Sequence, residues 1–188
     1  MTNAEVLDVF RKSGALLEGH FILRSGLRSR QFFQCALALQ DMPTVERLGA
    51  ALAAQTRGLG AVTVIAPAMG GLVIGQEVAR QLRLRFIFAE KEEGRLVLRR
   101  GFKLAPQERV LVVEDVVTKG GRVQETMEIV RQAGAQVVGV AMVVDRSDAS
   151  LQLGVPVAAL LKMIVETFSP EQLPPDLAAL PPVKPGSK

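Results

Sequence analysis

RVLVVEDVVTKGG, residues 109–121, is the stretch from which the architecture can be read. Its first half, Val110 to Val113, is apolar at every position, with no polar face. A strand of that kind is buried on both sides, as in a parallel sheet covered by helices. AVTVIAP (61–67), QVVGVAMVVD (136–145) and VPVAALL (155–161) read the same way, and LRFIFAE (84–90) is a further strand. Helical segments fall between them at 72–82 and from the turn at Thr118–Gly121 to about Ala133, which Gly134 closes. This alternation predicts an α/β fold, a doubly wound, mostly parallel sheet with helices on both faces. Ligands of such sheets bind outside the carboxyl ends of the strands.

Outside this centre the signals are weaker. Val6, Leu7, Phe10, Leu16 and Leu17 stand at helical spacings in residues 3–18, which predicts a helix broken at Gly14. Residues 21–39 alternate weakly and read as short strands about a turn at Ser25-Gly26. A helix is expected over 43–57, with Asp41 as its cap and Gly58 and Gly60 at its end. Residues 91–103 read as a β excursion about Gly94. The tail, 169–188, holds six of the ten prolines and is expected to be extended or partly disordered, or packed on the surface. The expected organisation is one domain, 1–168, followed by this tail.

Composition narrows the chemistry. A length of 188 residues suits one domain with a real core. The 23 Lys and Arg exceed the 19 Asp and Glu by four, and residues 83–103 alone carry that excess. Anionic partners are favoured. The run itself reads equally as a solvated hairpin or as an anion-binding loop. With no Trp or Tyr, stacking platforms for single-stranded nucleic acid are poor, and no nucleic-acid partner is expected. No apolar run reaches the ~20 residues of a membrane span. The first residues resemble neither a signal nor a transit peptide, so a cytoplasmic location is expected. One cysteine, Cys35, and one histidine, His20, exclude an intrachain disulfide and a Cys/His metal cluster. They also weaken any Ser-His-Asp reading. Metal chemistry would run on carboxylates, water and substrate oxygens, which suits magnesium. His20 is expected to be structural, and Cys35 to be a small buried hydrophobe.

Glu114 and Asp115 end an apolar strand, a costly place for two acids unless they meet hydroxyls, cations or solvent. Thr118-Lys119-Gly120-Gly121 then turns into a helix, whose first amides can cradle a phosphate. Together they suit a phosphorylated sugar. A plain strand-turn-helix connection with solvated acids remains an alternative at this point. The segment is neither a Walker A loop nor a GxGxxG fingerprint, and GGLVIG (70–75) alone is a weak signal.

VVEDVVTKGG (112–121) resembles the phosphoribosyl-pyrophosphate (PRPP) motif of the type I phosphoribosyltransferases. GALLEGHFILRSGLRSRQFFQ (14–34) is similar to the opening of the orotate phosphoribosyltransferases. VIAPAMGG (64–71) resembles their pyrophosphate loop, and VVDRSD (143–148) their late strand with an orotate-binding arginine. The four blocks follow the family's order over roughly residues 5–165.

The resemblance implies transfer of orotate onto PRPP in pyrimidine synthesis. Residues 1–40 would form a small base-binding hood, and 91–103 a mobile loop shared across a homodimer. Glu114 and Asp115 would face the ribose hydroxyls. Val117, Thr118, Lys119, Gly120, Gly121 and Arg122 would cradle the 5'-phosphate, and Ala68, Met69 and Gly70 the pyrophosphate. The last of these loops often holds a non-proline cis peptide in the family. Phe32 and Phe33 would lie beside orotate, Arg146 would pair with its carboxylate, and Arg24 would replace an N-terminal lysine. Lys91 is the best match in the mobile loop, and Arg95, Arg99 and Arg100 are candidates to cover the leaving pyrophosphate. The implied cofactor is Mg2+, carried mainly by substrate oxygens, with Asp115 the side chain that could reach it. The chain departs from the family pattern at Gly70 (usually Lys), Glu90 (Arg), Lys119 (Thr) and Arg122 (Ser or Thr), and its short loop lacks a histidine. Two alternatives stay open: another base as substrate, discriminated by Phe32, Phe33 and Arg146, and a PRPP-sensing regulator without turnover, which the missing histidine, Glu90 and Gly70 keep in view.

Overall fold

In a computed structural model of the chain, which describes residues 1–23, 25–147 and 152–185, the apolar runs become the strands of one sheet. The N-terminal part comprises α1 (Asn3–Lys12), β1 (Leu16–Ile22), β2 (Arg28–Phe33), α2 (Cys35–Leu39) and α3 (Met42–Thr56). Then follow β3 (Thr63–Pro67), α4 (Gly71–Leu82), β4 (Arg85–Glu92), β5 (Arg95–Leu98), β6 (Arg109–Val117), α5 (Gly121–Gln132), β7 (Gln136–Asp145) and β8 (Val157–Lys162). β9 (Thr167–Phe168) and α6 (Pro175–Ala178) complete it. Among the described residues no helix is long and apolar enough to cross a membrane.

The central sheet has the order β5-β4-β3-β6-β7-β8. All its neighbours are parallel except β4 and β5. The chain enters at β3, winds to β4 on one side, and returns through β6, β7 and β8 on the other. The direction of winding therefore reverses between β3 and β6. A crevice opens at such a reversal, at the carboxyl ends of the two strands.

Burial follows from the unbroken apolar runs. Leu111 and Val113 join the cluster with Leu48 and Leu52 of α3 and Ile74 and Val78 of α4. Val110 and Val112 face the other way, with Val123, Met127 and Val130 of α5. All four strand residues have no exposed surface. Each is worth about 1.5–3 kcal/mol relative to exposure. The cap of α3 is as expected: the Asp41 carboxylate accepts from the Thr44 amide at 3.0 Å, and Pro43 lies in the first turn.

Two expectations are corrected. Leu16 and Leu17 belong to a strand, because the chain reverses at Gly14 (φ 68°) and Leu16 pairs with Phe33. Residues 35–39 are helical, with Cys35, Ala38 and Leu39 spaced to bury one face. β6 runs to Val117, with Glu114 and Asp115 inside it. Among the described residues the tail packs on the surface, one of its expected states: it holds α6, and Val183 bridges to Phe21 of β1. The excursion about Gly94 is a hairpin, closed by Glu93 and Gly94, both at positive φ as a tight right-twisted turn requires.

Candidate active site

The crevice between β3 and β6 is a cavity of about 610 Å³, and most of the residues singled out in the sequence line it. Phe32, Phe33, Gly70, Glu114, Asp115, Val117 to Arg122 and Arg146 all contribute. They come from four separate places in the chain.

The loop after β3 brings the backbone against the acid pair. The Ala68–Met69 peptide is cis. A Cβ at Gly70 would lie 2.8 Å from Asp115 Oδ1, so the carboxylate fills the space beside this residue. A lysine there would need Asp115 to turn away, which is a physical reason for glycine at this position.

The two acids differ in environment. Glu114 is 3% exposed, and its Oε1 accepts from the Asp115 amide at 3.1 Å. Burial, reinforced by the neighbouring Asp115 charge, pushes its carboxyl well above the ordinary range. Asp115 is only partly buried, and its Oδ1 accepts from the Val116 amide at 2.7 Å. The pair therefore divides into a buried group favoured as the neutral acid and one that opens to the cavity.

Beyond Val117, Thr118 and Lys119 are exposed, and Gly120 (φ 74°) turns the chain into α5. The first amides of a helix lack intrahelical partners and sit at its positive end, so an anion is favoured here. Arg122 lies near enough to Glu114 to act on its charged form.

Arg146 is tied to the same turn, because its amide donates to Val117 O at 2.8 Å. Its guanidinium carbon lies 5.4 Å from the centre of the Phe33 ring. Its Nε is buried without a hydrogen-bond partner. Among the described residues it has no ion-pair partner. Asp145, one acid weighed as its partner, instead accepts from the Ser147 amide at 2.9 Å and the Ser147 hydroxyl at 2.6 Å. Asp148, the other, lies outside the described residues. A stacked guanidinium with unused donors is suited to a planar carboxylate. Phe33 packs edge-on against Phe10 at 5.6 Å, and Phe32 against Phe21 at 5.9 Å. Phe33 is therefore core and cavity wall at once, while the half-buried Phe32 is cavity wall resting on Phe21.

Residues 36–168 match the family described as Phosphoribosyl transferase domain. The chain is 50% identical over 188 residues to the orotate phosphoribosyltransferase of Pelotomaculum thermopropionicum, covering 100% of this chain and 99% of that protein. The chain belongs to the orotate phosphoribosyltransferase family. The relative from Desulforamulus reducens, also an orotate phosphoribosyltransferase, is 48% identical over 188 residues, covering 100% of this chain and 98% of its own. Among solved structures, the orotate phosphoribosyltransferase of Aeropyrum pernix superposes with a TM-score of 0.69 at 27% identity, over 84% of this chain and 93% of that one.

For an orotate phosphoribosyltransferase, the hairpin, together with Ala68 and Met69 of the loop after β3, is what the structure does not bring to the cavity wall. Lys91 and Arg95 are exposed on it. Arg99 pairs with Glu92 at 3.2 Å. Arg100 pairs with Glu90 at 2.6 Å and lies over the Phe88 ring at 5.8 Å. None of the four lines the cavity. Antiparallel pairing explains this, because it turns the basic residues back onto the acids of β4. Glu90, the departure from the family's arginine, is the residue that holds Arg100. The hairpin does project on the correct side: β3 ends opposite Ala89, and β4 runs three residues further, about 10 Å. Arg24 lies outside the described residues. Gln34 and Cys35 were not singled out, yet both line the cavity. Their position directly after the Phe pair was the available signal. Burial, with the negative charge of Asp115 added, raises the Cys35 thiol well above its ordinary range, so it remains a neutral wall residue.

Proposed function

We propose that this chain joins orotate to PRPP, giving orotidine 5'-monophosphate and pyrophosphate for pyrimidine synthesis. One observation carries this reading: a single cavity holds an acid pair, a helix start suited to phosphate, and an arginine that lies over a phenylalanine and has no ion-pair partner among the described residues. These fit, in order, the ribose hydroxyls, the 5'-phosphate and the carboxylate of a flat ring.

In the reaction, a ring nitrogen of orotate forms a bond to the anomeric carbon. The bond from that carbon to pyrophosphate breaks, and its electron pair leaves with the pyrophosphate. Because positive charge develops on the ribose, the protein must position two anions and stabilise charge rather than supply a nucleophile. Arg146 binds the orotate carboxylate, and Phe32 and Phe33 hold the ring. Asp115 faces the ribose hydroxyls as an anion, with the neutral Glu114 able to donate beside it. The turn from Val117 to Arg122 anchors the phosphate, and Lys119 and Arg122 supply cations where the family has hydroxyls. The loop of Ala68, Met69 and Gly70 receives the pyrophosphate. Lys91 and the hairpin arginines close over it from the second subunit of a homodimer, which works in the cytoplasm.

Among the described residues no three side chains are grouped to hold a metal. One charged carboxylate, with the remaining ligands from substrate and water, is nonetheless the donor set that magnesium takes, and Asp115 would provide it. When bound, the ion neutralises charge on the pyrophosphate and ribose oxygens.

A second reading, a PRPP-binding regulator without turnover, draws support from the engagement of Arg99 and Arg100 by Glu92 and Glu90. Loss of orotate's ultraviolet absorbance in the presence of PRPP, with and without magnesium, separates the two. The chain has no Trp or Tyr, so the protein background is low. Magnesium-dependent conversion is the expected result. PRPP binding without conversion of orotate would favour the regulator.

A further inference from the structure

The hood is clamped on both edges by the end of the chain. β1 and β2 form an antiparallel pair, and a two-stranded hairpin alone is only marginally stable. β9 pairs with β2, through Ser29↔Thr167 and Arg28↔Phe168. After α6 the chain reaches the opposite edge. There Ile22 N donates to Val183 O and Val183 N donates to His20 O, both at 2.8 Å. The segment between these strands crosses the hairpin. α6 lies against β1, its Leu177 is 1% exposed, and His20 Nδ1 donates to Leu180 O at 3.0 Å.

One side chain gathers this crossing. Arg30 Nε and one terminal nitrogen donate to the two oxygens of Asp176, each at 2.9 Å. The other terminal nitrogen donates to Glu166 Oε2 at 3.0 Å. The guanidinium also lies 4.8 Å over the Phe168 ring. Isolated exposed ion pairs contribute little, but a bidentate fork within a network is the exception. Arg30 is two residues from Phe32 on the same strand, so what grips one fixes the course of the other.

We propose that residues 166–183 are a strap that positions the base-contacting hairpin, and that Arg30 is its positioning residue. The proposal rests on the reading of Phe32 and Phe33 as the walls of the base site. The strap sets the distance from these rings to Arg146 without touching substrate. Loosening it should weaken capture of the base and spare the sugar-phosphate end of the cavity, which is built on β3 and β6.

The test uses the full chain carrying Arg30→Gln or Asp176→Asn. The KM for orotate is expected to rise about tenfold, with kcat and the KM for PRPP within about twofold of the unmodified chain. Hydrogen exchange should quicken in peptides covering 16–33 and stay unchanged in the central sheet. Arg30→Lys, which keeps the charge and loses the fork, should recover part of the orotate affinity. An equal rise in both KM values, or an unchanged orotate KM beside faster exchange, would overturn the positioning role. Should the unmodified chain convert no orotate, the functional reading falls separately. The exchange comparison then decides alone, with faster exchange in 16–33 upholding the strap and unchanged exchange overturning it.

Discussion

Glu114 and Asp115 are adjacent, chemically alike and unequal. The difference arises from burial, since Glu114 sits within the core edge and Asp115 opens to the cavity. The Glu114 carboxyl is pushed from 4.5 up to about 9, first by desolvation and then by the Asp115 charge. Between those two values the folded chain retains a proton that the unfolded chain releases. Stability without ligand should therefore fall as pH rises through that window. Glu114→Gln removes the titration. Its melting temperature should gain on that of the unmodified chain as pH approaches 9, while its turnover falls. Scanning calorimetry from pH 5 to 9 tests this, and parallel curves would refute the raised value. Asp115→Asn keeps the shape and removes the charge. It should lower turnover at least ~100-fold with the circular dichroism unchanged, as loss of a positioned charge does.

At the scale of elements, the close seating of α4 on β3 sets the loop of Ala68, Met69 and Gly70, proposed to receive pyrophosphate. A Cβ at Gly75 would lie 2.7 Å from Ala66 Cβ and 3.0 Å from the Phe86 ring. Gly75→Ala must push α4 outward or shift Phe86, at a cost of about 1–3 kcal/mol. The expected melting temperature is several degrees lower. Because α4 starts directly after Gly70, the KM for PRPP should rise as well. The β4–β5 hairpin shows the opposite balance. The Arg99–Glu92 pair is exposed and worth about 0–1 kcal/mol, so Arg99 can leave at small cost when an anion arrives, whereas Arg100 grips Glu90 through a two-bond fork and is held more firmly. The amide of Leu96 in β5 donates to Glu125 of α5 at 2.6 Å, which anchors the hairpin's inner side while its tip stays exposed.

For the molecule as a whole, the cavity is lined by the residues proposed for base, ribose and phosphate but not by the cations of the hairpin. That division fits a site completed across two subunits. Mixing inactive Lys91→Ala and Asp115→Asn chains should restore part of the activity, because a hybrid dimer carries one site with neither change. Activity is to be followed across mixing ratios, with subunit exchange verified by mass. No recovery would mean that the hairpin serves its own subunit. On the proposed reading, selection of the base falls to the hood and Arg146.

The local pattern of residues determined the sheet, the cap of α3, the acid pair and the phosphate turn. Each is written in a few consecutive positions, as unbroken apolar runs, a capping residue ahead of a helix, or charges where charge is costly. Leu16 and Leu17 were not legible in that way, because two neighbouring leucines fit a helical face and a strand equally well until Phe33 pairs with the first. Only tertiary structure put Gly70 against Asp115, Arg146 on Phe33, and Asp176 on Arg30 across 146 residues of chain. Those contacts follow from where strands end and which edges remain unpaired. No window of sequence records them, because the physical quantities that decide them are burial and distance.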